Sequence, residues 1–159
     1  MDEATFEALY QQTARALWSY AHRVSGNPTL ADDILQETYY RFLRASRVKM
    51  DMAQTRSYLY RIASNLLHDH WRGQARDRVL AEAPTEGPAA DPVESTDLAR
   101  FFQRLKPQER ELLWLAYAEG NDHKEIALML GLKEKSIKVL LFRARQKLMA
   151  LIRQEGGEL

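Results

Sequence analysis

A break in composition between Ala81 and Asp97 constrains this chain more than any other feature. Pro84, Pro88 and Pro92, Gly87 and the acids Glu82, Glu86, Asp91, Glu94 and Asp97 fall within it, and no Lys or Arg interrupts them. A segment so poor in large apolar side chains cannot offset the entropy of ordering itself. It reads as a flexible acidic linker, so the chain is expected to fold as two small units, residues 1–78 and 98–155, joined by 79–97. The 159 residues allow this, and the 45% of apolar residues suffices for two cores.

On both sides of the break the apolar residues recur at helical spacing. Phe6, Leu9, Tyr10, Thr13, Leu17, Tyr20, Ala21 and Val24 mark one helix face that ends near Gly26. Asn27 and Pro28 supply a cap and a first turn for a second helix, with Leu30, Ile34, Thr38 and Phe42 as its buried stripe. A loop from about Ser46 to Gln54 follows. Thr55 or Ser57 then caps a third helix with Leu59, Ile62, Ala63, Leu66 and Leu67 inward, and Gly73 is a stop for it.

Beyond the linker, Leu98, Phe101, Phe102 and Leu105 predict a short helix, and Pro107 opens the next, with Leu112, Leu113 and Ala116 inward and Gly120 closing it. Asp122 and Glu125 have the spacing of a capping box before Ile126, Ala127 and Leu130. Gly131 makes a tight turn, and Ile137, Leu141, Ala144, Leu148 and Leu151 run along a last helix. No segment alternates with period two, so the expected class is all-α: a three- or four-helix N-terminal domain and a four-helix C-terminal domain containing a helix-turn-helix.

The last helix carries Lys133, Lys135, Lys138, Arg143, Arg145 and Lys147 against Glu134. With Ile137 and Leu141 inward, Lys138, Val139, Phe142 and Arg143 face outward. In a helix-turn-helix the second helix enters the major groove, its outward residues meeting base edges while flanking cations hold phosphates. A basic face alone is as readily a solvated one, but Val139 and Phe142 on that face gain nothing from exposure to water, which points to duplex DNA.

The string from Glu125 to Leu148, EIALMLGLKEKSIKVLLFRARQKL, resembles the promoter-binding helix-turn-helix of extracytoplasmic-function sigma factors, with Ser136-Ile137-Lys138 and Phe142-Arg143-Ala144-Arg145 at its core and end. Val139 and Leu140 stand where a Ser and an Arg are usual. The resemblance implies contact with the minus-thirty-five element through Lys135, Ser136, Lys138, Val139, Phe142 and Arg143. Two more strings match. Ala31 to Glu37, ADDILQE, is similar to the family's polymerase-binding segment, which implies docking through Asp32, Asp33, Gln36 and Glu37. Tyr58 to Leu66, YLYRIASNL, is similar to its promoter-melting helix, with Tyr58 in place of the usual Trp. That implies contact with the minus-ten element through Lys49, Met50, Tyr58, Arg61, Asn65, Asp69 and Arg72. Residues 1–78 then correspond to region 2 and 98–155 to region 4 of such factors. Core RNA polymerase and promoter DNA are the implied partners, with an anti-sigma factor or other inhibitor in many members. The flexible linker would also let the two domains close on each other, with the apolar patch at Val139 and Leu140 covered by the N-terminal domain or an inhibitor.

Other readings fit less of the chain. A simple helix-turn-helix regulator of duplex DNA explains the second domain and leaves the first unexplained. His68-Asp69-His70 suggests a metal hydrolase, but positions two apart on a helix diverge by about 200° and cannot share one ion. With no cysteine and no phosphate-cradling glycine loop, no enzyme, metal site or cofactor is expected. The amino terminus lacks the features of a secretory signal, and the expected location is the cytoplasm.

Overall fold

The computed structural model describes residues 1–45, 49–81 and 96–155; of the linker read at 79–97, residues 82–95 lie outside them, as do residues 46–48 of the preceding loop. Among the described residues seven α-helices follow one another: α1 (Glu3–Ser25), α2 (Pro28–Arg44), α3 (Met52–Ala81), α4 (Asp97–Gln103), α5 (Pro107–Leu113), α6 (His123–Leu130) and α7 (Glu134–Glu155). Among the described residues there is no strand.

The punctuation of the N-terminal half explains its three helices. Asp2 caps α1 by accepting from the Thr5 N–H, and Gly26 ends it in the left-handed region at φ 72°, where its N–H reaches the His22 carbonyl at 2.7 Å. Asn27 accepts from the Leu30 N–H and Pro28 begins α2. The third helix departs from expectation. Asp51 and Gln54 form a reciprocal cap, at 2.7 Å and 3.0 Å, so α3 starts at Met52. Thr55 and Ser57 are buried inside the first turns, and the Thr55 hydroxyl donates back to the Asp51 carbonyl. Gly73 does not stop α3 either. It is spanned as an interior residue, its cost of roughly 1 kcal/mol relative to Ala outweighed in a helix of 30 residues.

In the C-terminal half, Thr96 caps α4, Pro107 starts α5, and Asp122 with Glu125 forms the predicted capping box of α6. Between α5 and α6 the helix widens into a π-helical turn, Trp114–Ala118, closed by the Glu119 N–H on the Trp114 carbonyl. Gly131 ends α6 at φ 67°, and α7 buries Ile137, Leu141 and Ala144.

The two halves share one apolar core. Leu17, Tyr20, Leu59, Tyr60 and Leu67 from the first are continuous with Leu112, Leu115, Ile126, Met129 and Ile137 from the second. Each large side chain taken fully from water contributes about 1.5–3 kcal/mol. The halves meet where α3 packs on α6 and where α1 packs on α5 and the π turn.

Candidate nucleic-acid interface

The basic face of α7 is positioned by the burial of Ile137, Leu141 and Ala144, three residues spaced four and three apart. Lys135, Lys138 and Arg143 are thereby exposed, as are Val139 (44%) and Phe142 (52%), while Ser136 is half-buried where its N–H turns back to the Lys133 carbonyl. The Arg145 guanidinium lies 5.9 Å from the Phe142 ring and also reaches the Tyr117 hydroxyl. Cations and an aromatic surface thus stand together on one convex helix, arranged for a phosphate backbone and base edges. Of the apolar patch expected to be covered on domain closure, Val139 stays exposed while Leu140 is half-buried against the core; the halves touch through α3 and α6.

The acidic stripe on α2 stands opposite the buried Ala31, Ile34 and Thr38. Asp32, Asp33 and Gln36 are exposed and Glu37 is half-buried. Asp32 accepts from the Trp18 indole N–H of α1 at 2.7 Å, and Glu37 pairs with Arg41 at 2.9 Å, so the stripe is partly ordered by its own neighbours.

The expected minus-ten set divides in two. Asn65, Asp69 and Arg72 lie exposed along one face of α3, with Arg72 paired to Asp69, and Lys49 is exposed just before that helix. Tyr58 is half-buried, its ring 6.1 Å from Phe42, and Met50 is half-buried against the core. Arg61 is turned toward the other half. It donates to Asn65 Oδ1 at 2.9 Å and to the Leu130 carbonyl at 3.2 Å, capping the last turn of α6.

Sequence reasoning missed a polar seam beside this face. Glu111 of α5 is fully buried, and its carboxylate accepts from the Tyr20 hydroxyl, from the Ser64 hydroxyl at 2.7 Å, and meets His68 Nε2 at 2.6 Å. Burial, then the adjacent Glu111 charge, holds the Tyr20 hydroxyl well above its ordinary range. Eight residues on, Glu119 accepts from Tyr60 at 2.6 Å and from Arg56 at 3.0 Å, and Arg56 also donates to Asn121 at 2.8 Å. Burial pushes the Glu119 carboxyl up, against the opposing pull of Tyr60 and Arg56. On a regular helix Glu119 would sit roughly 80° around the axis from Glu111; the π turn between them lets both carboxylates face α3. The available signal was Glu111 itself, an acid set directly before Leu112 and four before Leu115, on the inward arc. Among the described residues no three His, Asp or Glu side chains gather into a metal-binding group.

The family models for Sigma-70 region 2 and Sigma-70 region 4 match residues 9–77 and 95–148. The RNA polymerase sigma factor NccH of Alcaligenes xylosoxydans is 30% identical, over 95% of this chain and 88% of NccH. This chain belongs to the extracytoplasmic-function RNA polymerase sigma factors. Named members of that type are similar throughout: SigL of Mycobacterium tuberculosis is 28% identical over 98% of this chain and 93% of its own length, while SigE of Mycolicibacterium smegmatis is 29% identical, with 64% of its length covered. Among solved structures, CnrH in complex with the cytosolic domain of CnrY is 25% identical with TM-score 0.71 over 97% of this sigma factor and 91% of that chain. The fold also matches the sigma factor RpoE of Bartonella quintana, solved with the anti-sigma factor NepR, at TM-score 0.76 and 21% identity over 95% and 98% of the two chains. A sigma factor acts with RNA polymerase in promoter recognition and transcription initiation.

Proposed function

We propose that this sigma factor divides its labour between residues 1–78 and 98–155, joined by 79–97. The first unit docks on core polymerase through Asp32, Asp33, Gln36 and Glu37. It also melts the minus-ten element through Lys49, Met50, Tyr58, Arg61, Asn65, Asp69 and Arg72. The second unit grips the minus-thirty-five element through Lys135, Ser136, Lys138, Val139, Phe142 and Arg143. What carries the reading is that an exposed acidic stripe and an exposed basic aromatic helix sit on separate halves, which suits a basic protein partner and DNA phosphates respectively.

In this reading the chain is a binding subunit and not a catalyst, works in the cytoplasm where polymerase and chromosome are, and needs no cofactor. Among the described residues no helix is long and apolar enough to cross a membrane. CnrH binds the cytosolic domain of CnrY, and an inhibitory protein of that kind is a partner we extend to this factor. The test is transcription in vitro with core polymerase plus this protein, with start sites sequenced and melting followed by permanganate. Discrete promoter-dependent starts are expected, and Asn65→Ala should keep core binding while weakening melting. Tight duplex binding without polymerase, and no starts with it, would instead mark a simple regulator.

A further inference from the structure

Arg145 lies outside the residues assigned to the minus-thirty-five element, yet it ties one of them to the rest of its domain. Lys138, Phe142 and Arg145 are spaced four and three apart on α7 and share one exposed flank of the helix, while Arg143 is exposed on the opposite flank. The Arg145 guanidinium carbon is 5.9 Å from the centre of the Phe142 ring and 5.9 Å from that of the Tyr117 ring, and an N–H of the same group donates to the Tyr117 hydroxyl. Tyr117 stands 28 residues earlier in the chain, on the π turn, where Leu115 is fully buried and Tyr117 is left outside. Two exposed aromatic rings from different elements therefore share one cation. A planar guanidinium suits this place because it can lie over a ring and still donate in its own plane. At an exposed site such a contact is worth about two- to fivefold in an equilibrium constant.

An exposed ring on a convex helix is free to change rotamer, and fixing it when a partner arrives costs affinity. With Arg145 held by Tyr117, part of that cost is met before DNA binds. The other polar link from α7 to α5, Lys147 on Glu109 at 3.2 Å, fastens the helix without involving either ring. We infer that Tyr117 is a positioning residue for promoter recognition: through Arg145 it holds the Phe142 ring in the orientation that meets the minus-thirty-five element. The use of the ring rests on the assignment of Phe142 proposed above; the ordering of Arg145 in the free protein does not.

The free protein tests the clamp and the holoenzyme tests its use. By side-chain nitrogen relaxation in NMR, the Arg145 Nε–H group is expected to be more ordered than that of Arg143, and Tyr117→Phe, which removes the hydroxyl and keeps the ring, should reduce the difference. Arg145 as mobile as Arg143 would overturn the inference. Holoenzyme affinity is then measured for a duplex carrying the upstream element of a promoter recovered by start-site sequencing. Tyr117→Phe should weaken it about two- to fivefold when Phe142 is present and leave it unchanged in a Phe142→Ala background. Arg145→Lys keeps the charge and loses the planar group, so it should do the same with no change in the salt slope. Lys147→Ala, which removes only the link to Glu109, should instead combine additively with Phe142→Ala. A loss from Tyr117→Phe that is equal in both backgrounds would make the tyrosine merely structural and overturn the inference. If Phe142→Ala weakens binding while Tyr117→Phe and Arg145→Lys do not, the positioning role falls and the assignment of α7 stands; if Phe142→Ala has no effect, both fall.

Discussion

Arg61 reaches across 69 residues of sequence to donate a hydrogen bond to the Leu130 carbonyl, and its guanidinium fills the space where a side chain at residue 131 would stand. One arginine therefore closes α6, supports the turn of the helix-turn-helix and joins the halves.

Gly131→Ala should be strongly destabilising for two separable reasons. The left-handed backbone at φ 67° costs a residue with a Cβ about 1–2 kcal/mol, and the methyl group meets Arg61. Thermal unfolding should show a lowered Tm. Adding Arg61→Ala should recover the collision but not the backbone cost, so the double mutant should be more stable than the two single losses added together. Strict additivity would mean that the guanidinium does not occupy this space.

The joint should also respond to pH through Glu119. Burial raises the pKa of this carboxyl in the closed state above its ordinary value of 4.5, so the closed state binds the proton more tightly than an open one does. Its contribution to closure is therefore fully present below the ordinary carboxylate pKa and is lost as pH rises through the raised value. The neighbours that set the size of the effect are Arg56 and Tyr60 on α3 and Glu125 on α6. Between about pH 4.5 and neutrality, Glu119→Gln should flatten the dependence of domain closure on pH, as read by energy transfer across the joint. An equal slope in both proteins would remove Glu119 as its source.

Most of the helical plan was legible because it is written locally. Asn27-Pro28, Pro107, Asp122 with Glu125, and the glycines at 26, 120 and 131 are start and stop signals whose physics involves a few neighbouring residues. The errors arose where distant contacts compete with local signals. Gly73 reads as a stop, yet α3 runs on through it. Thr55 and Ser57 read as caps, yet burial claims both for the helix interior, and the pair Asp51 and Gln54 takes the terminus. Leu98, expected in the core, is left exposed. The outward faces of α2, α3 and α7 were legible from periodicity and motif. The partnership of Glu111 with Tyr20 was not, because 91 residues separate them and no local pattern reports which helices pack together.

Docking on polymerase should depend on charge more than on fold. Reversing Asp32, Asp33 and Glu37 to Lys together should abolish binding of core while leaving helix content nearly intact, since all three lie outside the core. Asp33 is the cleanest single position. Asp32 also orders Trp18 and Glu37 also pairs with Arg41, so changing either disturbs α1 or the last turns of α2 as well. Asp33→Lys alone should weaken the affinity for core measured by titration calorimetry, and wild-type affinity in the triple variant would place the docking surface elsewhere.

Promoter binding by the assembled polymerase should separate the two kinds of contact on α7. Arg143 is an exposed cation with phosphate as its natural partner, so Arg143→Ala should lower affinity for every sequence and reduce the slope of log affinity against log salt by about 1. Phe142 offers apolar surface, with Arg145 beside its ring, and its neighbour Val139 can meet a thymine methyl group without releasing a counterion. Phe142→Ala should therefore lower affinity by a similar factor at every salt concentration and leave the slope nearly unchanged, provided Arg145 keeps its hold on the Tyr117 hydroxyl. The measurement is a salt titration of binding to a duplex carrying only the upstream element, using holoenzyme formed with each variant. If Phe142→Ala changed the slope as much as Arg143→Ala, the aromatic ring would act only by positioning the neighbouring cations; if neither changed affinity, the outer face of α7 would not be the surface that meets DNA.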